Sequence, residues 1–127
     1  MNKSARLKSR KLIEELFNDG KSFSYAPFKV FYLHTQTDVF LQAGFGVSAK
    51  SFKRATDRNR IKRLTREAYR LQKKDLDEKL KVNHWHLAVF FIYIGKEIPE
   101  YPLIFKKMGS ILKKLIQIAD ENNTSNN

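Results

Sequence analysis

From Leu87 to Ile94 the chain is apolar at every position, Leu-Ala-Val-Phe-Phe-Ile-Tyr-Ile, and Gly95 closes the run. Eight residues rich in aromatic and β-branched types are too few for a buried helix and suit a strand. A strand without a polar side needs cover on both faces, which predicts a central position in a sheet. Whatever else the chain folds into must supply that cover.

The rest of the sequence offers the parts. Leu12, Ile13, Leu16 and Phe17 fall at helical spacing between Ser9, an N-cap type, and Gly20, a stop signal, which predicts a short helix over 9–19. After Pro27 the period changes to two: Phe28, Val30 and Tyr32 share one side of a strand, and Lys29, Phe31 and Leu33 the other. A polar interruption over 35–38 leads to a second extended stretch over 39–47, broken by Gly44 and Gly46, and the two together predict an antiparallel pair. The glycines suit a bulge or a close backbone approach, and equally plain irregularity. Thr56 and Asp57 are N-cap types ahead of a long helical pattern from Arg58 to about Leu80. Beyond Pro99 and Pro102, the residues Leu103, Phe105, Met108, Ile111, Leu112, Leu115 and Ile116 predict an amphipathic C-terminal helix. The order is α, β, β, with room for a third strand, then α, β, α. It fits one α+β domain, an α/β sandwich over 1–119, with a polar, Asn-rich tail at 120–127 expected to fray.

Charge narrows the partners. With 25 Lys and Arg against 13 Asp and Glu, the chain of 127 residues carries +12. A small basic domain of this kind attracts polyanions, nucleic acid first among them. A membrane surface competes for that role, but the sequence lacks both a long apolar run and a basic segment with a wide apolar face. The absence of cysteine excludes disulfides, thiolate-held metal and thiol nucleophiles. The N-terminus is charged from Lys3 without an apolar signal core, so a cytoplasmic location is expected.

The helical pattern from Arg58 places Ile61, Leu64, Ala68 and Leu71 on one arc and Arg58, Lys62, Arg66 and Arg70 opposite, with Asn59 and Arg63 beside them. Eleven Lys or Arg stand between Lys50 and Lys74, against Asp57 and Glu67 alone. A solvated helix usually interleaves acids with bases, because like charges at i, i+4 cost a few tenths of a kcal/mol per pair. An external polyanion would neutralise this stripe. Arg predominates at Arg58, Arg60, Arg63, Arg66 and Arg70, and guanidinium suits bidentate phosphate contact and base stacking. Lys50, Lys53 and Arg54 extend the patch onto the approach to the helix start, itself an anion-attracting position.

The stretch Arg58-Asn59-Arg60-Ile61-Lys62-Arg63-Leu64-Thr65-Arg66-Glu67-Ala68-Tyr69-Arg70 resembles the Arg-Asn-Arg signature of the bacterial ribonuclease P protein family. Three further features stand in that family's order: Leu7-Lys8 to Phe17 followed by Gly20-Lys21-Ser22, the strand Phe28 to Leu33, and Val47-Ser48-Ala49-Lys50 before the helix. The resemblance spans most of 6–94. It implies an α-β-β-β-α-β-α sandwich, like domain 2 of ribosomal protein S5, with a left-handed βαβ crossover around the signature helix. It also implies a ribonucleoprotein endonuclease whose RNA subunit cleaves with bound magnesium ions (Mg2+). The protein would hold that RNA and the 5′ leader of precursor tRNA, bind no small-molecule substrate, and not cut alone.

Position by position, the resemblance assigns Arg58, Asn59, Arg60, Lys62, Arg63 and Arg66 to the surface that meets the catalytic RNA. It assigns Phe17 and Phe31, with Lys29, Ser22 and Ile13, to the leader cleft. Taken without it, Phe17 and Phe31 read more simply as core, although Lys29 shares the face of Phe31 and a charge suits an open cleft better than a covered one. The chain departs from the family in having Lys53-Arg54 where Gly-Asn is common and Ile13 where an aromatic is common. A generic basic RNA-binding module, ribosomal or chaperone-like, is the alternative, and charge does not separate the two. His34, His84 and His86 have no evident carboxylate partner, even though His84 and His86 would share a face if extended. Asp38, Asp57 and Glu67 form no acidic cluster suited to two-metal chemistry.

Overall fold

The computed structural model describes residues 6–125. Its elements are α1 (Arg10–Asp19), β1 (Lys21–Tyr25), β2 (Phe28–His34), β3 (Leu41–Val47), α2 (Ala55–Gln72), α3 (Lys74–Asn83), β4 (Leu87–Tyr93) and α4 (Tyr101–Ser125). The strands form one mixed sheet in the order β1-β2-β4-β3. The apolar run is therefore internal, antiparallel to β2 with Val30 opposite Phe91, and parallel to β3 with Phe45 opposite Phe91.

This order corrects the expected antiparallel pairing of the two stretches after Pro27. β4 lies between them, and β2 finds its other neighbour in β1, with Ser22 opposite Phe31. Alternation set each strand's faces, but pairing order follows from burial: the run with two apolar faces takes the position with two neighbours. β1 is almost wholly exposed along its length, so its Lys-Ser-Phe-Ser-Tyr sequence carried little apolar signal.

Leu87, Val89, Phe91 and Tyr93 enter a core closed by α2, α3 and α4, where Phe28, Ile61, Tyr69, Ile104, Met108 and Leu115 are buried with them. Ala88 and Phe90 point to the other face. There Leu7 and Leu16 form a smaller cluster with Ala88, flanked by Leu12, Ile13, Phe31, Leu33 and Phe90. One face of β4 is thus sealed by three helices and the other by one.

Local chemistry explains the element ends. The Ser9 side chain accepts from the Leu12 N–H at 3.2 Å and starts α1. Gly20 ends it with ordinary negative φ. A Cβ there would press on the Leu16 and Tyr32 carbonyl oxygens, so the chain needs glycine for space.

The long helix expected from Arg58 to Leu80 divides at Lys73. Asp75 and Asp77 occupy the first turn of α3, where acidic side chains favour a new N-terminus. Gln72 donates its amide to the Ala68 and Phe105 carbonyls at 3.1 and 2.9 Å, tying this joint to α4. α3 stops at His84, which has left-handed backbone (φ 52°) and whose N–H reaches back to Leu80 and Lys81, a capping role usually filled by glycine.

α4 runs on past position 119, where the sequence suggested that the domain ends. Asn83 donates to the Ala119 carbonyl, and Lys79 pairs with Asp120 at 3.3 Å, so the helix end is held against α3. Asn126 and Asn127 of the expected tail lie outside the described residues.

Because Leu16 is the fully buried residue of α1, Leu16→Ala is expected to cost about 2–5 kcal/mol. Urea unfolding measures that loss. Amide exchange should accelerate in α1 well before it does in β4.

Candidate nucleic-acid interface

Helix α2 begins at Ala55, three residues before the expected start. Arg54 takes the N-cap position without a side-chain hydrogen bond, and Asp57 lies within the first turn. Its buried stripe is Ile61, Thr65, Ala68 and Tyr69. Leu71, placed on the core arc by the sequence pattern, is instead 54% exposed, and Tyr69 takes its place against Phe45 and Phe91. Thr65 is tolerated there because its hydroxyl donates to the Ile61 carbonyl at 2.8 Å. Burial pushes the Tyr69 hydroxyl's pKa far above its ordinary value, and Tyr69 therefore stays neutral.

This anchoring turns the opposite side of α2 outward. Asn59, Arg60 and Arg63 are exposed, and Lys62 and Arg66 half-buried. Among the described residues, Arg60, Lys62, Arg63 and Arg66 have no carboxylate within ion-pair distance. Arg66 lies over the Phe45 ring, 5.8 Å from its centroid, where the contact limits the guanidinium's freedom. Lys50, Lys53 and Arg54 are exposed on the loop that leads into the helix.

Two arginines of the stripe differ from the rest. The Arg58 guanidinium donates to the Phe52 and Lys53 carbonyls at 2.7 and 2.8 Å. With Phe52 buried against Tyr93, that pair of bonds holds the loop carrying Lys50, Lys53 and Arg54 onto the helix start. Arg70 forms a two-bond pair with Glu67, and the same contact holds the Glu67 carboxyl below its ordinary pKa. The pair is therefore intact at neutral pH and is lost as pH falls through that lowered value. Helical spacing could not reveal either role, because both depend on what the guanidinium meets.

On the other face of the sheet, Phe31 and Phe90 are neighbours across the β2–β4 pair, and Phe17 of α1 stands over both. Phe17 meets Phe31 edge-on at 5.0 Å and Phe90 at 5.3 Å, yet remains 42% exposed. Lys29 places its Nζ 5.2 Å from the Phe31 centroid, and Ser22 lies beside Phe31 on β1. The expected cleft residues Phe17, Phe31, Lys29 and Ser22 thus come together. Ile13, one turn before Phe17 on α1, is half-buried in the cluster that also holds Phe31 and Phe90.

Phe90 also lines the cleft, although within an unbroken apolar run its spacing does not distinguish it from core. The signal for it was Gly44 and Gly46. A Cβ at Gly44 would come 2.7 Å from the Phe90 ring, and one at Gly46 2.9 Å, so the two glycines let Phe90 lie flat on β3. The same ring lines a recess of about 220 Å³ with Arg6, Lys8, Gly44, Phe45 and Arg66. That recess joins the aromatic cleft to the basic side of α2.

His34 and His86 take part in ring stacking, and His84 caps α3. His34 stacks on Trp85 at 5.1 Å and donates from Nδ1 to the His86 carbonyl, and His86 stacks on Phe40 at 4.3 Å. Left-handed His84 prevents the shared face that an extended His84-Trp85-His86 would have had. Among the described residues no three His, Cys, Asp or Glu side chains are grouped to hold a metal ion, and no helix is long and apolar enough to cross a membrane.

A small α+β sandwich with an unpaired cationic helix face and an open aromatic cleft joined to it belongs to the nucleic-acid-binding class of proteins. Comparison identifies it further. The family model described as Ribonuclease P matches residues 1–116. The ribonuclease P protein component of Porphyromonas gingivalis (strain W83) is 36% identical, over 94% of this chain and 86% of that protein. That of Chlorobium phaeobacteroides is 35% identical, over 91% and 87%. The chain belongs to the ribonuclease P protein family. Solved structures agree in fold: the RNase P protein of Thermotoga maritima aligns with TM-score 0.67 at 26% identity, over 86% of this chain and 96% of that one. The RNase P protein of Staphylococcus aureus aligns with TM-score 0.69 at 21% identity, over 88% and 95%.

Substitution separates structural from free cations on α2. Arg58→Ala, which leaves two carbonyls without their donor, is expected to destabilise by about 1–3 kcal/mol. Arg63→Ala, at an exposed position, should stay within about 0.5 kcal/mol. Chemical denaturation distinguishes them, and equal losses would contradict the tie assigned to Arg58.

Proposed function

We propose that this chain is the protein subunit of a bacterial ribonuclease P and assists removal of the 5′ leader from precursor tRNA. Hydrolysis is carried out by the RNA subunit, and the magnesium ions belong to that RNA. The protein alone does not cleave. The outward face of α2, with Asn59, Arg60, Lys62, Arg63 and Arg66 and the loop cations Lys50, Lys53 and Arg54, meets the folded RNA. Arg58 serves chiefly by holding that loop in place. The setting of this work is the cytoplasm.

The observation that carries the reading is the half-exposed Phe17, held edge-on over Phe31 and Phe90 in a cleft with Lys29 at its side. A ring kept partly in solvent by two others is a ready surface for stacking bases. Stacking of this kind contributes about 1–3 kcal/mol per base and tolerates many sequences, as a leader-binding surface must. Lys29 adds a cation for the backbone of the same single strand. The recess that joins the cleft to Arg66 lets one RNA contact run into the other.

Reconstitution tests the proposal. The chain is added to a bacterial ribonuclease P RNA at low magnesium, and cleavage is followed for precursors with and without a leader of several nucleotides. A gain that depends on the leader is expected, and Phe17→Ala should remove most of it while leaving RNA-subunit binding in place. Lys62→Ala should instead weaken RNA-subunit binding and lower the slope of log affinity against log salt by about 0.7–0.9. Absence of a leader-dependent gain would overturn the reading.

A further inference from the structure

The sheet has a second basic edge, opposite the one formed by α2. Helix α4 carries Lys106, Lys107, Lys113 and Lys114, and no carboxylate stands between Glu100 and Asp120. Neighbouring α3 is built differently, since Lys79 pairs with Asp120 and Lys81 with Asp77. Among the described residues, none of the four α4 lysines has a carboxylate within ion-pair distance. Ile104, Met108, Ile111 and Leu115 are fully buried, which fixes the rotation of the helix and turns the lysines outward.

Two of these lysines are also held in place. Lys107 places its Nζ 5.4 Å from the centroid of Tyr25, and Lys114 its Nζ 5.6 Å from that of Phe23. Both rings belong to β1, the edge strand farthest from β3 and α2. The spacing of seven residues sets Lys107 and Lys114, and likewise Lys106 and Lys113, about 10 Å apart along the helix. Tyr25 is 37% exposed beside them.

Lysine stems covering an apolar ring would account for Lys107 and Lys114 alone. Lys106 and Lys113 are exposed, and helical spacing puts them about 100° round α4 from that pair, on the side away from the core. Four cations without a counter-charge, two of them positioned by aromatic faces, form a surface whose missing component is an extended anion. From this we infer that the outer face of α4, with Tyr25 at its border, is a second phosphate-binding surface that takes the backbone of double-helical RNA. It is separate from the α2 face and the aromatic cleft, and it does not depend on the cleavage reading.

The test uses a blunt RNA duplex two helical turns long, which has neither leader nor cleavage site, so failure here leaves the proposed function untouched. Binding is followed by fluorescence anisotropy across a range of KCl, in an Arg60→Ala/Arg63→Ala background that weakens the α2 face. Adding Lys107→Ala/Lys114→Ala is expected to lower the log–log salt slope by about 1.4–1.8, the effect of two phosphate contacts. Lys107→Arg/Lys114→Arg should restore it. Lys11→Ala/Lys96→Ala, which removes equal charge elsewhere, should leave the slope nearly unchanged.

Equal losses in the two alanine pairs would mean that only net charge matters, and would overturn the inference. So would failure of the arginine pair to restore the slope. Vesicles of equal phosphatidylcholine and phosphatidylserine provide a further arm. If the alanine pair loses vesicle binding but keeps the duplex slope, the surface serves lipid and the inference is wrong.

Discussion

Strand β4 has an apolar side chain at every position, and the architecture follows from covering both of its faces. One face is sealed by α2, α3 and α4 around Phe91, which fixes the rotation of α2 and thereby its outward basic side. The other face receives only α1, seated on Leu16, and past the end of that seat Phe31 and Phe90 are left under a single ring. The rigid platform and the open cleft are two consequences of unequal cover on one strand.

Electrostatics works against α2 as an isolated helix, since its cations repel one another. Burial of Ile61, Ala68 and Tyr69 holds it regardless, because helices in proteins draw most of their stability from packing. The arginines then divide the work. Arg58 fastens the preceding loop, Arg70 is neutralised by Glu67, and Arg66 is steadied by Phe45. What remains unpaired in the middle of the helix is available to an external anion.

Much of the candidate site was legible because it rests on local spacing. The two-residue period placed Lys29 and Phe31 on one face, and the signature from Arg58 onward placed the cationic side of α2. Phe90 was not legible, since nothing in an unbroken apolar run tells which of its two faces will be left partly open. Leu71 and Tyr69 exchanged roles because a helical wheel fixes angles but not how wide the buried arc is, and the aromatic neighbours Phe45 and Phe91 drew in the larger ring. Strand β1, polar and exposed, exists because β2 had a free edge to pair with, a fact no property of Lys21–Tyr25 records.

The sequence by itself determined the element types apart from strand β1, the central place of β4, the one-sided charge of α2 and the family, since each depends on residues near one another in the chain. The tertiary structure decided the strand order that inserts β4 between β2 and β3, the division of the long helix at Lys73, the structural use of Arg58 and the flat seat of Phe90 on Gly44 and Gly46. Each of these depends on which distant backbone or side chain arrives alongside. Competition for burial around β4 settles that, and local periodicity does not encode it.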